Sequence, residues 1–365
     1  GTHTGYYQVT ITHPVNMFFA PLLGVNNSTV RAKATASVTS PLPINIGGGG
    51  NTYGTNGIQN LSVFGKYGQY SYGDAFSPAW LDNGQVNPLY NPDGYDFKVT
   101  IPANYSAING TNTVKMELFD PETWNVGNAT DAGAGKMDEI RAAPGGGHPQ
   151  PSSQYTTTKY SLYAPSNTPN DPTDDILIAT ATYGPSTTST TDMKWVTPTG
   201  FQFNKNTYGS GAYRLNVVSL DGSSENGFNL RAGPPLTGSQ TFNPNNGTKV
   251  EATGSLPINF NVSGTVDIEL GDLPAATAGS KVYIDKFDTD VGATSIQYYD
   301  DHGHTWPGVL SGNGTWKLDV LNIPTGYTGG KLKARYVAGA QDTSVWQMYF
   351  DGTLTGGPSE LRLVD

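Results

Sequence analysis

The residues best suited to chemistry in this 365-residue chain are acidic. Asp285, Asp288 and Asp290 fall within one turn-like segment, and Asp300-Asp301 follow closely, with His302 and His304 beside them. Hard oxygen ligands at such close spacing suit Ca²⁺, which accepts six to eight of them in flexible geometry. The segment is not an EF-hand, because it lacks the closing Glu and the required glycine position. Acidic turns capped by Asp side chains give the same pattern without any ion. His302 and His304 could contribute to a transition-metal site, but two imidazoles alone do not complete one. A second acidic group, Asp120, Glu122, Asp131 and Asp138, follows the segment Leu118-Phe119-Asp120-Pro121 and admits the same two accounts.

Other chemistries find less support. The sequence has no Gly-x-Ser-x-Gly, no His-Glu-x-x-His and no phosphate-binding glycine loop. His3, His13 and His148 are scattered. A glycosidase needs two carboxylates facing each other across a cleft. Glu117 and Glu269 lie on separate strands whose alternating neighbours predict solvent-facing side chains. The expectation is therefore no catalytic residues and no enzyme, with a secreted hydrolase as the competing class. Tyr67, Tyr70, Tyr72, Phe76 and Trp80 crowd a short Gly-rich stretch. Exposed, such rings would stack on surface glycans; buried, they pack a β core. Asn-x-Ser/Thr sequons occur at Asn60, Asn104, Asn128, Asn261 and Asn313, as expected by chance in an Asn- and Thr-rich chain.

Composition sets the scaffold that must hold these groups. Gly 46 and Pro 25, with Tyr 21 and Trp 6, argue for many short strands joined by turns rather than for disorder. Zero Cys excludes disulfides and thiol catalysis. A formal net charge of −10 with only 20 Lys and Arg disfavours nucleic acid and anionic lipid alike. No apolar run is long enough to span a membrane as a helix.

Alternation locates the strands. Tyr95, Phe97, Val99 and Ile101 share one face, as do Val114, Met116 and Leu118; Tyr160 and Leu162; Ile176 and Ile178; and Tyr213, Leu215 and Val217. Later strands are expected around Val266–Leu270, Lys281–Asp285, Ser295–Tyr299, Trp316–Leu321, Lys331–Val337 and Val345–Phe350. The fold expected is mainly β: a small N-terminal strand-helix-strand element over 1–40, then two antiparallel β-sandwich domains. The first, jelly-roll-like, spans 41–235; a linker covers 236–252; an Ig-like domain occupies 253–365. Gly47 to Gly50 reads as a flexible joint.

The N-terminal element carries a further expectation. Tyr7, Val9 and Ile11 line one face of a strand, a short apolar stretch from Val15 to Leu23, with Phe18 and Phe19, follows Pro14 as the helix, and Val30, Ala32 and Ala34 line a second strand. This greasy surface has no local cover, so it is expected to dock on another chain or another part of this one. Tyr7, Val9, Ile11, Phe18, Phe19, Val30, Ala32 and Ala34 are the candidate assembly residues.

The run Val9 to Val38, VTITHPVNMFFAPLLGVNNSTVRAKATASV, resembles a segment of TadE/TadG-like proteins of bacterial tight-adherence (Flp-type) pilus systems. Asn60–Gly65, Tyr72-Gly73-Asp74, Gly94–Pro102, Leu118–Pro121, Asn226–Ala232 and Leu361–Val364 resemble the secreted β-rich part of the longer TadG-related members. Pro21 departs from the family pattern, and the family's membrane-inserted N-terminal helix does not precede Gly1 in this sequence. The resemblance implies an exported cell-surface structural protein, released from an N-terminal segment, whose partners are copies of itself or another pilus or pseudopilin subunit. A carbohydrate-binding adhesin is the alternative among binding proteins.

Overall fold

The computed structural model describes residues 6–16, 27–48, 60–67, 78–81, 84–122, 151–166, 174–185, 191, 194–243, 245–252, 258–288, 292–352 and 360–364. Twenty strands carry the described chain. In the N-terminal part they are β1 (Tyr6–Asn16), β2 (Asn27–Leu42), β3 (Ile44–Gly48), β4 (Asn60–Phe64), β5 (Tyr95–Ile101), β6 (Thr113–Phe119) and β7 (Thr157–Tyr163). Next come β8 (Leu177–Tyr183), β9 (Trp195–Val196), β10 (Gln202–Asn204), β11 (Gly211–Asp221), β12 (Glu225–Gly233) and β13 (Lys249–Ala252). The remainder holds β14 (Ile258–Leu273), β15 (Lys281–Asp288), β16 (Ala293–Asp300), β17 (Thr305–Pro307), β18 (Trp316–Asn322), β19 (Gly330–Asp351) and β20 (Glu360–Val364). The described helices are short, Tyr105–Asn109 and Lys205–Tyr208, with a 3-10 turn at Ala275–Thr277. The protein is mainly β, as its turn-rich composition requires.

Among the described residues, strand pairing builds two antiparallel sheets. The larger follows the order β1-β2-β19-β14-β4-β12-β6-β10, with further strands branching from it; the smaller follows β3-β13-β5-β11-β7-β8. The two meet through aromatic rings. Phe228 of β12 packs edge-on against Phe97 of β5 at 6.0 Å and Tyr160 of β7 at 5.4 Å. All three are fully buried or nearly so. Their neighbours Val99, Ile101, Leu162, Leu215 and Val217 complete this core, at the positions where alternation puts the apolar face. Gly65 and Gly222 let two segments touch nearby: a Cβ on Gly65 would fall 2.3 Å from the Gly222 carbonyl oxygen, and Gly222 has φ 94°.

The C-terminal part of the same core forms differently, by one long strand folding over. Tyr336 and Trp346 both lie on β19, yet their rings sit 5.7 Å apart. Ten residues of straight strand would separate them by roughly 33 Å, so β19 doubles back between them. Register shifts in the β14–β19 ladder between Val262 and Gly264, opposite Asp342 and Ala338, mark the same place. The first half of β19 pairs with β16, and the second half pairs with β15. Val282, Ile284, Tyr298, Leu321, Leu332 and Trp346 fill the space between the halves.

Three expectations change. The helix expected from Val15 does not begin there: β1 continues through Pro14 to Asn16, paired with Thr29 to Asn27 of β2. The rest of that apolar stretch, with Phe18 and Phe19, lies outside the described residues. β1 and β2 form an antiparallel hairpin, and β2 runs on past residue 40 to pair with β20 and then β19. Residues 249–252, expected within a linker, form β13 between β3 and β5. Val250 and Ala252 are buried there, an alternation short enough to be missed among the surrounding Asn, Gly and Thr.

Candidate functional site

β15 reads Lys281-Val282-Tyr283-Ile284-Asp285-Lys286, and every second side chain from Val282 is buried. That phase carries Lys286 into the core with Val282 and Ile284, leaving it 2% exposed. On β18 the same rule buries Asp319 in step with Leu321. Antiparallel register sets Ile284 opposite Asp319 and Lys286 opposite Lys317, so Lys286 and Asp319 are diagonal neighbours on one face. The Lys286 ammonium donates to Asp319 Oδ2. Tyr298, fully buried on β16, donates its hydroxyl to the same oxygen at 2.7 Å, and the Val309 backbone N–H donates to Oδ1 at 2.9 Å. The Tyr298 and Trp346 rings flank Lys286 Nζ, each with its centroid 5.9 Å away. Burial pushes the Lys286 ammonium below its ordinary pKa, against the pull of Asp319. Burial and the Asp319 charge push the Tyr298 hydroxyl well up.

A second buried charge lies in the N-terminal part. Glu117 of β6 is 5% exposed, contrary to the solvent-facing side chain its alternation predicts. Its Oε2 accepts from Arg231 Nε at 2.7 Å, and its Oε1 lies 2.7 Å from Lys115 Nζ. The Arg231 guanidinium rests 4.0 Å from the Trp195 ring and 4.6 Å from that of Phe242. These rings, distant in sequence, stack on the arginine that pairs with Glu117. Glu269 is half-buried and receives Lys331 Nζ at 2.7 Å.

The acidic residues singled out by sequence take separate places. Asp285 and Asp288 sit opposite Gln347 and Ser344 on β19, whereas Asp300 sits opposite Leu332. Asp290 lies outside the described residues. Among the described residues, no three His, Asp or Glu side chains gather as a metal would require. Asp120 and Glu122 are both fully buried, and Asp120 adopts φ 52°; Asp131 and Asp138 lie outside the described residues. Asp300 caps a turn: Oδ1 accepts the backbone N–H of His302 at 3.0 Å and of His304 at 2.8 Å, and Oδ2 faces His304 Nδ1 at 2.8 Å. Asp301 is exposed and accepts the Lys331 backbone N–H at 3.0 Å. Tyr67 and Trp80 are half-buried and bridged to each other, while Tyr70, Tyr72 and Phe76 lie outside the described residues.

The turn at Asp300 has a pH signature. Burial alone would raise the pKa of its carboxyl, but the hydrogen bonds from His304 and His302 outweigh burial and lower it. A depressed folded pKa gives stability that is full above the unfolded value and lost as pH falls through the folded one. The difference in unfolding free energy between wild type and Asp300→Asn should therefore be constant down to about pH 5 and shrink below about pH 4. A difference unchanged through that range, measured by urea titration, would contradict the turn's role.

Of the candidate assembly residues, Tyr7, Val9 and Ile11 lie on β1 opposite Ala36, Ala34 and Ala32, and Val30 lies opposite His13. These strands, sheets and buried charge pairs define an antiparallel β protein. No family model matches the chain, and no curated protein matches it. Solved structures give only faint likeness. A chain of infectious bursal disease virus, Gx strain, is 10% identical with TM-score 0.19, over 94% of this chain and 70% of that one. The CBM22-1-CBM22-2 tandem domain of Paenibacillus barcinonensis Xyn10C is 12% identical with TM-score 0.16, over 100% and 95%. The VP2 subviral particle of infectious bursal disease virus gives 13% identity and TM-score 0.17, over 87% and 71%.

Proposed function

We propose that this chain is a non-enzymatic, exported structural protein of the cell surface, a TadG-like subunit that joins neighbouring subunits through its N-terminal strands. In this reading residues 41–235 form a jelly-roll-like unit and 253–365 an Ig-like one, and repeated joining builds an extracellular filament. One observation carries the proposal: β1 ends the order of the larger sheet, with β2 on one side and, among the described residues, no strand on the other. An open edge offers a row of backbone donors and acceptors to another chain, and strand addition is a general way to join subunits. Pro14 within β1 fits this place, because a strand proline is confined largely to edges. The resemblance of Val9 to Val38 to the tight-adherence family supports the same reading from the sequence.

Sedimentation velocity over a range of concentrations tests it. The wild-type chain should associate, and Val9→Asp with Ile11→Asp should leave a monomer with unchanged β circular dichroism, because charge on the joining strand is costly to bury. A wild-type chain that stays monomeric at every concentration would remove the assembly role.

A further inference from the structure

We propose that Lys286 and Asp319 join covalently, through an amide between Lys286 Nζ and Asp319 Cγ that ties β15 to β18. The inference does not depend on the assembly reading. It rests on how the core arranges a nucleophile, an electrophile and a proton relay in one dry place. Lys286 Nζ already contacts the carboxyl group of Asp319, and both residues are almost wholly buried, at 2% and 3% exposure. Neighbouring strands fix the two side chains on one face, which removes the entropic cost of bringing the reactants together; well-oriented groups of this kind reach effective molarities of about 10⁵ M or more. The backbone of Gly308 closes the site from above, since a Cβ there would lie 3.2 Å from Asp319 Oδ2 and 2.7 Å from Ile296.

The two carboxyl oxygens have different surroundings, and this assigns their fates. Oδ1 faces the Val309 backbone N–H alone, a donor suited to the oxygen that remains as the amide carbonyl. Oδ2 faces both Lys286 Nζ and the Tyr298 hydroxyl, so protons can reach the oxygen that leaves. The reaction balances within the pair. Proton transfer from ammonium to carboxylate gives the neutral amine and neutral acid that react. The amine lone pair attacks Cγ, forming the C–N bond. One proton passes from nitrogen through the Tyr298 hydroxyl to the Oδ2 hydroxyl, the Cγ–Oδ2 bond breaks, and one water departs. The depressed pKa of Lys286 supplies free amine more readily than an exposed lysine would. Burial then protects the amide from hydrolysis. In a chain without cysteine, such a bond is a staple that no reductant opens.

Intact-mass spectrometry of the folded full-length chain tests the proposal directly. The wild type should be lighter than its sequence by one water, and a tryptic digest should yield a branched peptide joining the Lys286 and Asp319 segments, with no cleavage after Lys286. The branched peptide separates this bond from a succinimide, which loses the same mass. Lys286→Met and Asp319→Ala should restore full mass, and Asp319→Asn should lose one ammonia instead of one water. Tyr298→Phe keeps the ring and removes the relay, so its folded protein should gain the bond far more slowly. A folded wild type of full mass without the branched peptide overturns the proposal and leaves a buried ion pair.

Discussion

Glu117→Ala is expected to lower the free energy of unfolding by about 3–5 kcal/mol, the loss typical of removing one partner from a buried ion pair. The cause is what stays behind. Arg231, 7% exposed, would keep its charge between the Trp195 and Phe242 rings with its carboxylate gone. Stacking on the two rings offsets part of that penalty, since each such contact contributes about 0.5–2 kcal/mol. It cannot replace the 2.7 Å charge-assisted hydrogen bond from Arg231 Nε. Lys115 also loses its partner but is more exposed, so water compensates it. Glu117→Gln keeps the volume and one acceptor, and should cost less, about 1–2 kcal/mol. The double variant Glu117→Ala with Arg231→Met should recover part of the loss, because the stranded charge is gone. Urea unfolding of the single and double variants decides it; a Glu117→Ala loss below about 0.5 kcal/mol would mean the pair is solvated in solution.

Alternation was a reliable guide for several strands, though not at Ile176, which is 61% exposed just before β8. β5 shows this well, with Tyr95, Phe97, Val99 and Ile101 buried and the residues between them half-buried. The same rule fails at Glu117, because Met116, Glu117 and Leu118 are all buried. Its partner Arg231, stacked on Trp195 and Phe242, comes from other strands and loops, which local periodicity cannot announce. β12 is the extreme case, with every residue from Glu225 to Gly233 buried. Lys286 is legible in part. It stands in phase with Val282 and Ile284, but the acidic residues around it point to an exposed turn. A lysine in step with apolar neighbours is the signal that would have found the pair, and Asp319 in step with Leu321 is its counterpart. The doubling back of β19 left part of its signal: strands are expected at Lys331–Val337 and Val345–Phe350, and the ladder shifts in the gap between them, where the sequence carries Gly339 and Asp342. That the two halves pack against each other as one strand is not written in local periodicity.

That folded strand makes Trp346→Ala the other large expected loss, about 3–5 kcal/mol. Trp346 is fully buried and lies opposite Ile258 on β14 and Lys286 on β15, so it stands where three strands meet. Its ring holds Tyr336 at 5.7 Å and Tyr298 at 6.4 Å, both edge-on, and so joins the two halves of β19. Alanine removes those contacts and opens a cavity lined partly by Lys286 and the Tyr298 hydroxyl. An apolar cavity of that size would stay dry; polar groups at its wall invite water instead. The two consequences can be separated. Trp346→Phe keeps an apolar ring in place, so it should lose less stability and keep the site dry. Trp346→Ala should lose stability, measured by urea denaturation, and also lower the fraction of chains carrying the Lys286–Asp319 amide, measured by mass. Water reaching the pair would solvate the ammonium and carboxylate and hold them charged, and a charged amine does not attack. Full amide formation in a destabilised Trp346→Ala protein would show that the Trp346 ring serves packing alone, with dryness at the pair supplied by Gly308, Ile296 and Ile284.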